Sequence, residues 1–488
     1  MKNQITKDYL QVEEKLILKK GEELIQQFFA SIKTAQIYEP NNTLFLKQSQ
    51  KLSQTVFGLL ESCGQISLKI RAGYLFLNDL RLRFDFDGYA GSKFILEQLQ
   101  KLDIQNIFIE PGVSSKDLDE FVYLFAHTET EEEGVFDLFE KKLNLAGIAH
   151  IKVERFLPAE KESYLKSLEE NKRIAKKAFF KSVNVVREAM SSLGSQKAVN
   201  IVRVKRTVQS LVDLIIQDET TFLELTAIKN FDEYTFVHSA NVCVLSIMMG
   251  VRLGLDRKKL GELGFAALFH DVGKVKLPYE LINKPTEFDD SDWQQVRQHP
   301  IMGVKSLLSF RKSDDYSMRA IVVSFEHHLN LDFSGYPEVK NKSELNLFSR
   351  IVSIADAYDA MTSGRVYVKK PYSPDEALKR MLYRQGIFYD PIVMKVFINV
   401  MGVYPVGTLV VLNTGEIGLV YRTNPEDLAR PLVKIIADRN GEKEKVQTVD
   451  LRKFDEATGE YLRFIAQTLD PEKCKIDISR YLSFGDTY

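Results

Sequence analysis

The sequence predicts a multidomain α+β protein with three domains and a helical connector. Residues 1–155 mix helical runs with short alternating segments, which predicts a small α/β domain. Residues 231–403 are mostly helical in pattern with short loops, which predicts an all-α bundle. Residues 404–488 begin with β-branched runs separated by glycine turns, which predicts a small β module followed by a tail.

In the N-terminal domain, residues 8–34 and 43–62 have helical periodicity. The segment "ISLKIRAGYLFLNDLRLRF" alternates apolar and polar residues around two turn-like points, which predicts short antiparallel strands. The segments "IQNIFIEPG" and "HIKVERF" predict two further strands. The segment "SSKDLDEFVYLFAH" predicts a helix whose N-cap is Ser114 or Ser115.

Residues 156–230 are predicted to form a helical connector. From residue 160 onward they lack proline, and their helical periodicity places many lysines and glutamates on the polar face. Two interpretations are equally compatible with this pattern. The segment could dimerise the chain, which makes a homodimer one candidate assembly, or it could form one layer of an ordinary helical domain.

Composition narrows the classes of partner and compartment. The chain has 488 residues with 66 Lys plus Arg and 67 Asp plus Glu, so its net charge is −1 and a large nucleic-acid partner is not expected. The three cysteines are far apart and form no CxxC motif, as is typical of a reducing compartment. The N-terminus lacks the apolar segment of a signal peptide, and the most apolar helical run meets Arg252 too soon to cross a bilayer. We therefore expect a cytoplasmic protein without a membrane span.

Five of the seven histidines lie in the predicted helical bundle, in contexts such as "ALFHDVGK" and "FEHHLNLDFSGYP". With one downstream aspartate in "SIADAYDA", they fall in five segments separated by about 30 residues, a length that suits a helix, a loop and a return. Successive helices could therefore direct one ligand each into a shared centre. The candidate ligands are His238, His270, Asp271, His299, His327, His328 and Asp356.

This ligand set predicts two metal ions, because one ion needs only three or four protein ligands and an open position. Imidazole together with carboxylate suits Fe, Mn or Zn, and oxygen-rich sites favour the harder ions. Two ions that share a bridging carboxylate can activate water and stabilise the oxygens of a phosphoryl displacement. His127 and His150 lie in the N-terminal domain and are not expected to be ligands.

Residues 231–400, about a third of the chain, resemble the HD-GYP domain, the cyclic di-GMP phosphodiesterase branch of the HD metal-dependent phosphohydrolases. The β module also resembles an extension that is often attached to this domain. The segments that carry the HD-GYP resemblance are "HSANV", "ALFHDVGKVKLP", "KPTEFDDSDWQQVRQHPIMG", "HH" with "SGYP", "RIVSIADAYDAMTSGRVY", "SPDEAL" and "YDP".

The resemblance implies how the two ions, expected to be Fe or Mn, are divided. One ion would be bound by His238, His270, Asp271 and Asp356. The other would be bound by Asp271, His299, His327 and His328, so that Asp271 bridges the pair. Asp359, three residues after Asp356, is expected either to orient a ligand or loop, or to act as a simple cap.

The resemblance also implies contacts with the substrate, cyclic di-GMP, in bacterial second-messenger signalling. Lys274 and Arg365 would neutralise the phosphate, Lys274 from the helical face it would share with His270 if that segment is helical. Asp271 and Lys274 are thus the candidate catalytic residues. Tyr336, in the turn Gly335-Tyr336-Pro337, would lie beside the metal ligands, and the same loop is implicated in contacts with diguanylate cyclase (GGDEF) domains.

Three positions after the double histidine depart from the family pattern. Leu329 stands where the family has an acidic residue, Asn330 where it has a basic one, and Phe333 where it has a glycine. These changes leave an alternative open, in which the domain keeps its metals but acts as a weak enzyme, a nucleotide sensor or a protein-interaction module. A third alternative, hydrolysis of another nucleotide, is disfavoured by Gly335-Tyr336-Pro337.

Overall fold

The structure is a computed structural model in which the chain forms two compact units, Met1–Lys172 and Arg173–Tyr488. Each unit is described by itself. The residues that the structure describes are 2–71, 74–82, 84, 86–128, 134–195, 197–228, 234–282, 284, 286–308, 314–340, 344–363, 371–424, 427–438, 441–455, 458–474, 476 and 478–482.

The first unit packs helices on a five-stranded sheet in the order β3-β2-β1-β4-β5. All four pairings are antiparallel, so the unit is α+β in its strand arrangement rather than built from parallel crossovers. Its elements are α1 (Lys2–Ala35), α2 (Thr43–Cys63), β1 (Ile66–Arg71), β2 (Tyr74–Leu77), β3 (Leu80–Arg81), α3 (Phe86–Lys101), β4 (Ile104–Ile109), α4 (Ser115–His127), α5 (Val135–Leu145) and β5 (Ile151–Arg155).

Local sequence signals account for these elements. In β1, Ile66, Leu68 and Ile70 are buried while the residues between them are not, which confirms the predicted alternation. Helix α4 begins at a capping box in which the Ser114 hydroxyl accepts from the main-chain N–H of Asp117, and the Asp117 carboxylate accepts from that of Ser114. The predicted helix start is thereby confirmed, with Ser114 as the N-cap.

The helices of the second unit share one large hydrophobic core. Buried residues of the predicted connector, such as Val186 and Leu211, belong to the same core as Ile247, Phe265 and Phe397 of the bundle. The helices are α6 (Pro158–Gly194, which begins in the first unit), α7 (Ile201–Gln217), α8 (Glu219–Ala227), α9 (Tyr234–Arg252), α10 (Arg257–Leu268), α11 (Tyr279–Ile282), α12 (Asp290–Val296), α13 (His299–Leu308), α14 (Asp315–Glu326), α15 (Leu347–Thr362), α16 (Pro374–Tyr383) and α17 (Pro391–Met401).

The β module is an antiparallel sheet in the order β10-β6-β7-β8-β9. The predicted tail supplies its edge strand β10, which pairs with β6. The Thr468 hydroxyl in β10 donates to the buried Asp375 carboxylate of α16 at 2.8 Å, a link between module and bundle. The strands are β6 (Leu409–Leu412), β7 (Ile417–Arg422), β8 (Leu432–Asp438), β9 (Gly441–Asp450) and β10 (Ile465–Leu469), followed by α18 (Pro471–Cys474) and a 3₁₀ helix (Ile478–Tyr481).

Helix α9 is apolar because it is a core helix. Residues Thr235–Arg252 are long and apolar enough, by length and composition alone, to cross a bilayer, so the sequence argument that the run is too short is wrong. However, 72% of this stretch is buried inside the protein, where it contacts α10, α15 and α17. Its apolar composition is therefore explained by packing.

Candidate metal centre

The seven candidate ligands come from five separate segments of the bundle. His238 lies on α9, His270 and Asp271 follow the end of α10, and His299 is the first residue of α13. The pair His327-His328 follows the end of α14. The remaining ligand, Asp356, lies on α15, and six of the seven are buried while His328 is partly exposed.

The structure brings these side chains together in two groups. In each group, one ligand atom of every member lies within 4.8 Å of the others. The first group is His238, His270 and Asp356, and the second is Asp271, His299, His327 and His328. The placement fits the division that the family resemblance implies.

Asp271 lies between the two groups and turns one carboxylate oxygen toward each. Its Oδ2 is 3.3 Å from His270 Nε2 and 3.8 Å from His238 Nε2. Its Oδ1 is 3.1 Å from His299 Nε2 and 3.6 Å from His327 Nε2. One carboxylate can therefore serve two ions, which is the arrangement of a bridged dinuclear site.

The buried imidazoles are oriented through their other nitrogen. The Nδ1 atoms of His270 and His299 lie 2.7 Å from the main-chain oxygens of Ala267 and Val296, three residues earlier in each case. Nδ1 of His327 lies 3.0 Å from the Ser324 oxygen. Because a carbonyl only accepts, each Nδ1 carries the proton and each Nε2 keeps its lone pair for a metal ion.

His238 is oriented by a carboxylate instead of a carbonyl. Its Nδ1 is 2.8 Å from Asp359 Oδ2, and the Asn241 side-chain amide donates to Asp359 Oδ1 at 2.9 Å. Of the two roles that the sequence left open for Asp359, the structure therefore favours orienting a ligand. Asn241 was missed, although its position three residues after His238 on a helix is the signal that could have identified it.

The electrostatics favour the metal-binding protonation states in the second group, whereas at His238 burial, which lowers the pKa, is outweighed by Asp356 and Asp359, which raise it. Burial would raise the pKa of the Asp271 carboxyl, but Lys274 and the neighbouring imidazoles outweigh it and hold the pKa well below its ordinary value. Burial and the adjacent His327 lower the pKa of His328 well below its ordinary value, and burial lowers that of His327 to about 4. At neutral pH these groups are an ionised carboxylate and neutral imidazoles, as metal binding requires.

The donor set fits divalent transition-metal ions. His270 Nε2 and Asp271 Oδ1 are buried and make no hydrogen bond of good geometry. A buried polar atom without a partner is costly, and a bound cation would satisfy both. Imidazole nitrogens mixed with carboxylate oxygens are the ligands that Fe, Mn and Zn accept.

Gly273 allows two members of the second group, Asp271 and His299, to approach each other. The residues after Asp271 form a 3₁₀ helix (Val272–Lys276) that packs on α13. A Cβ atom on Gly273 would lie 1.9 Å from the main-chain oxygen of His299, so no larger residue fits without a shift of the backbone. The Gly in "HDVGK" thus permits the short distance between Asp271 and His299.

Two predicted phosphate contacts have different outcomes. Lys274 does not share an α-helical face with His270, because α10 ends at Leu268; it lies on the 3₁₀ helix and donates to Asp271 Oδ2. Its charge is therefore directed at the Asp271 carboxylate. Arg365 lies outside the residues that the structure describes.

Tyr336 is held against the second group by a tight hairpin. Its main-chain N–H donates to the His328 oxygen at 3.2 Å, and its ring lies 4.5 Å from the His328 ring, centroid to centroid. Gly335 has a φ of +96°, and a Cβ there would lie 2.3 Å from the same oxygen. The structure thus places Tyr336 beside a candidate ligand, as the sequence predicts.

The departures from the family pattern lie in this hairpin, His328–Tyr336. Leu329 is only 3% exposed, so an apolar side chain occupies a buried position directly after His328. Phe333 adopts a φ of +65°, the left-handed region that favours glycine. The family glycine at this position is therefore explained by backbone conformation, and phenylalanine is strained there.

Comparisons with known proteins agree with the motifs. Residues 211–393 match the HD domain, and residues 409–476 match the KOW domain associated with HD domain. The first match contains all seven candidate ligands, and the second covers the five strands of the β module.

Among relatives, the chain is 35% identical over 239 residues to a cyclic di-GMP phosphodiesterase of Pseudomonas aeruginosa, covering 49% of this chain and 56% of the relative. It is 30% identical to a cyclic di-GMP phosphodiesterase of Thermotoga maritima over 34% of this chain and 45% of the relative. A 3'3'-cGAMP-specific phosphodiesterase of Vibrio cholerae is 31% identical over 32% of this chain and 33% of the relative. The chain spans about half the length of the first relatives it matches.

The family match, the relatives and the motif residues all assign the helical bundle to the same kind of domain. The predicted fold class is confirmed as well, with an N-terminal helix and sheet region, a central helical region and a C-terminal antiparallel sheet. Residues 211–393 of this chain therefore match the HD domain family, in agreement with the HD-GYP resemblance of the motifs that they contain.

Proposed function

We propose that this protein hydrolyses the phosphodiester bond of cyclic di-GMP at a centre of two divalent transition-metal ions, iron or manganese. The observation that carries the proposal is the position of Asp271. Its two oxygens face separate imidazole groups, at 3.3 Å from His270 and 3.1 Å from His299. A single-ion site would have no use for this second group of imidazoles.

When bound, the two ions would activate a water molecule and offset negative charge on the phosphate oxygens. The protein's own part is to hold the ligands in place. Main-chain oxygens keep the proton of His270, His299 and His327 on Nδ1, and Asp359 faces Nδ1 of His238. Preorganised ligands need not rearrange during the reaction.

Lys274 and Tyr336 have distinct proposed roles. Lys274 pairs with Asp271 and keeps the bridging carboxylate ionised, and it is 19% exposed, so it remains accessible to a phosphate as well. Tyr336 lies beside His328 and would border the bound substrate. For Arg365 we retain the proposal of a phosphate contact on the basis of the family motif alone.

The substrate proposal rests on the relatives. Two of those compared are named cyclic di-GMP phosphodiesterases, whereas one is named for 3'3'-cGAMP, a related cyclic dinucleotide. We therefore propose cyclic di-GMP first. We also propose a cytoplasmic setting, from the cysteine pattern, and, from the motif resemblance, a GGDEF-domain partner at the Gly335-Tyr336-Pro337 loop. A homodimer stays a hypothesis.

A second candidate function is a metal-bound nucleotide sensor or interaction module. Buried Leu329 and strained Phe333 favour it, because they alter the hairpin that borders the centre but none of the candidate ligands.

Turnover separates the two candidates. Protein loaded with Fe or Mn should convert cyclic di-GMP to linear products, and a chelator should abolish the conversion. Tight binding of cyclic di-GMP without conversion, at full metal occupancy, would reject the enzyme and support the sensor.

A further inference from the structure

Beside the proposed centre lies an arginine that no motif role accounts for. Arg297 is exposed, and its guanidinium carbon lies 5.9 Å from the centroid of the Tyr336 ring. That ring in turn lies 4.5 Å from the His328 ring and 6.1 Å from the His299 ring. Arg297 thus lies near the Tyr336 ring, which is itself close to two candidate ligands, His328 and His299.

The backbone fixes the position of Arg297 relative to the centre. The residue before it, Val296, is buried, and its main-chain oxygen lies 2.7 Å from Nδ1 of His299. Arg297 and Gln298 form the short turn between this oxygen and the ligand. The same turn that orients the His299 ring therefore also fixes the backbone position of Arg297.

The charge of Arg297 is not neutralised by an acidic side chain among the described residues. In contrast, Arg350 in the same bundle pairs with Asp390 and Glu344, and Lys274 pairs with Asp271. An exposed guanidinium that is held near an aromatic ring, yet has no carboxylate, is available to an anion. Arginine suits phosphate because its planar fork can donate two parallel hydrogen bonds.

We propose that Arg297 binds the second phosphate of the cyclic dinucleotide, the one that is not cleaved. This inference rests on the proposed function, since it assumes a substrate with two phosphates. If the ions bind the scissile phosphate, the second phosphate lies on the other side of the macrocycle. Its negative charge then needs a cation outside the metal centre. Arg297 supplies that cation, and Tyr336 positions it through its ring.

The test compares substrates that differ in the second phosphate. Wild type, Arg297→Ala and Arg297→Lys are titrated with cyclic di-GMP by calorimetry after chelation of the ions, so that no hydrolysis occurs, and turnover is measured in parallel on the metal-loaded proteins. Linear GpG, which has two guanines but one phosphate, is measured by competition. Lys305→Ala, which removes another exposed cation six residues beyond His299, is the matched control.

We expect Arg297→Ala to raise both the Kd and the KM for cyclic di-GMP about tenfold, the effect of losing a hydrogen bond to a charged group. The kcat should change little, because the residue lies outside the metal centre. Arg297→Lys should restore part of the affinity, since it keeps the charge but not the fork. GpG binding should be equal in all variants, and Lys305→Ala should match wild type.

Two outcomes would overturn the inference while leaving the proposed function intact. Unchanged cyclic di-GMP affinity in Arg297→Ala would show that the residue does not contact substrate. Equal losses for GpG and cyclic di-GMP would show that it contacts a guanine or the scissile phosphate instead. If wild type neither binds nor converts cyclic di-GMP, the proposed function fails and the inference fails with it.

Discussion

Two neighbouring parts of the bundle differ in how their geometry is held: the buried ligands around Asp271 and the hairpin His328–Tyr336. Among the buried ligands, three imidazoles are fixed by main-chain oxygens of their own segments. The hairpin is held by hydrogen bonds from Asn330 N to Ser334 O and from Tyr336 N to His328 O. It carries all three departures from the family pattern, including buried Leu329 and left-handed Phe333.

This difference indicates that the proposed metal binding and the proposed hydrolysis depend on partly different residues. Main-chain oxygens are present whatever the side chains are, so the buried ligands tolerate changes in the hairpin. The hairpin places Tyr336 at the edge of the centre, where substrate would lie. Changes there should affect turnover before they affect metal content.

The largest expected effect comes from the bridging residue. Asp271→Ala should remove most of both ions, because each oxygen of this carboxylate faces a different group of imidazoles. Elemental analysis should give about two ions per chain for wild type, as for a two-metal site, and well under one for the variant. Asp290→Ala, which removes an exposed carboxylate on α12, is the control and should keep the wild-type content.

A smaller and more selective loss is expected at Asp359. This residue faces Nδ1 of His238, a candidate ligand of the first group. Asp359→Ala should weaken one of the two ions about 10–100-fold, as is typical when a partner of a ligating histidine is lost. Titration with a chelator should then show one weak and one unchanged ion. Equal weakening of both would mean that Asp359 acts on the bundle as a whole.

Restoring the family residues in the hairpin should raise turnover more than it changes metal content. Glycine at position 333 removes the strain of a left-handed phenylalanine, roughly 1–2 kcal/mol. Glutamate at position 329 adds an acceptor near the ligands. Leu329→Glu with Phe333→Gly should raise cyclic di-GMP turnover about tenfold, within the range that partners of metal ligands contribute.

The comparison must be made at equal metal occupancy, because the same changes could act through metal loading. Leu329→Glu alone and Phe333→Gly alone serve as controls, because each shows the contribution of one position. No rise in turnover, with both ions present and substrate bound, would support the sensor function instead.

The smallest effect is expected from removing the N-terminal region. All seven candidate ligands lie in the unit Arg173–Tyr488, which has its own core. A chain that begins at residue 156 keeps the whole of α6 and should retain both ions and a cooperative unfolding transition. An insoluble or metal-free fragment would show that the first unit is needed to fold the second.

The sequence identified side chains that the structure brings together in two groups, because their spacing reflects the order of the helices. Segments about 30 residues apart match helices that return to one centre, and the alternating pattern of β1 matches a half-buried strand. The Ser114 capping box is equally local, since the donors and acceptors lie within three residues.

Contacts between distant residues could not be read in this way. Asp359 and Asn241 are 118 positions apart, yet they meet beside His238. Lys274 would share a face with His270 only if that segment were helical, but the α-helix ends at Leu268, before His270 and Asp271. Strand β10 lay in the predicted tail because pairing with β6 depends on a partner over 50 residues earlier.

The most direct test of the two-ion centre is anomalous diffraction from crystals grown with iron or manganese. The account predicts two anomalous peaks per chain on opposite sides of the Asp271 carboxylate, one beside His238, His270 and Asp356 and the other beside His299, His327 and His328. A single peak, or two peaks that share no contact with Asp271, would contradict it.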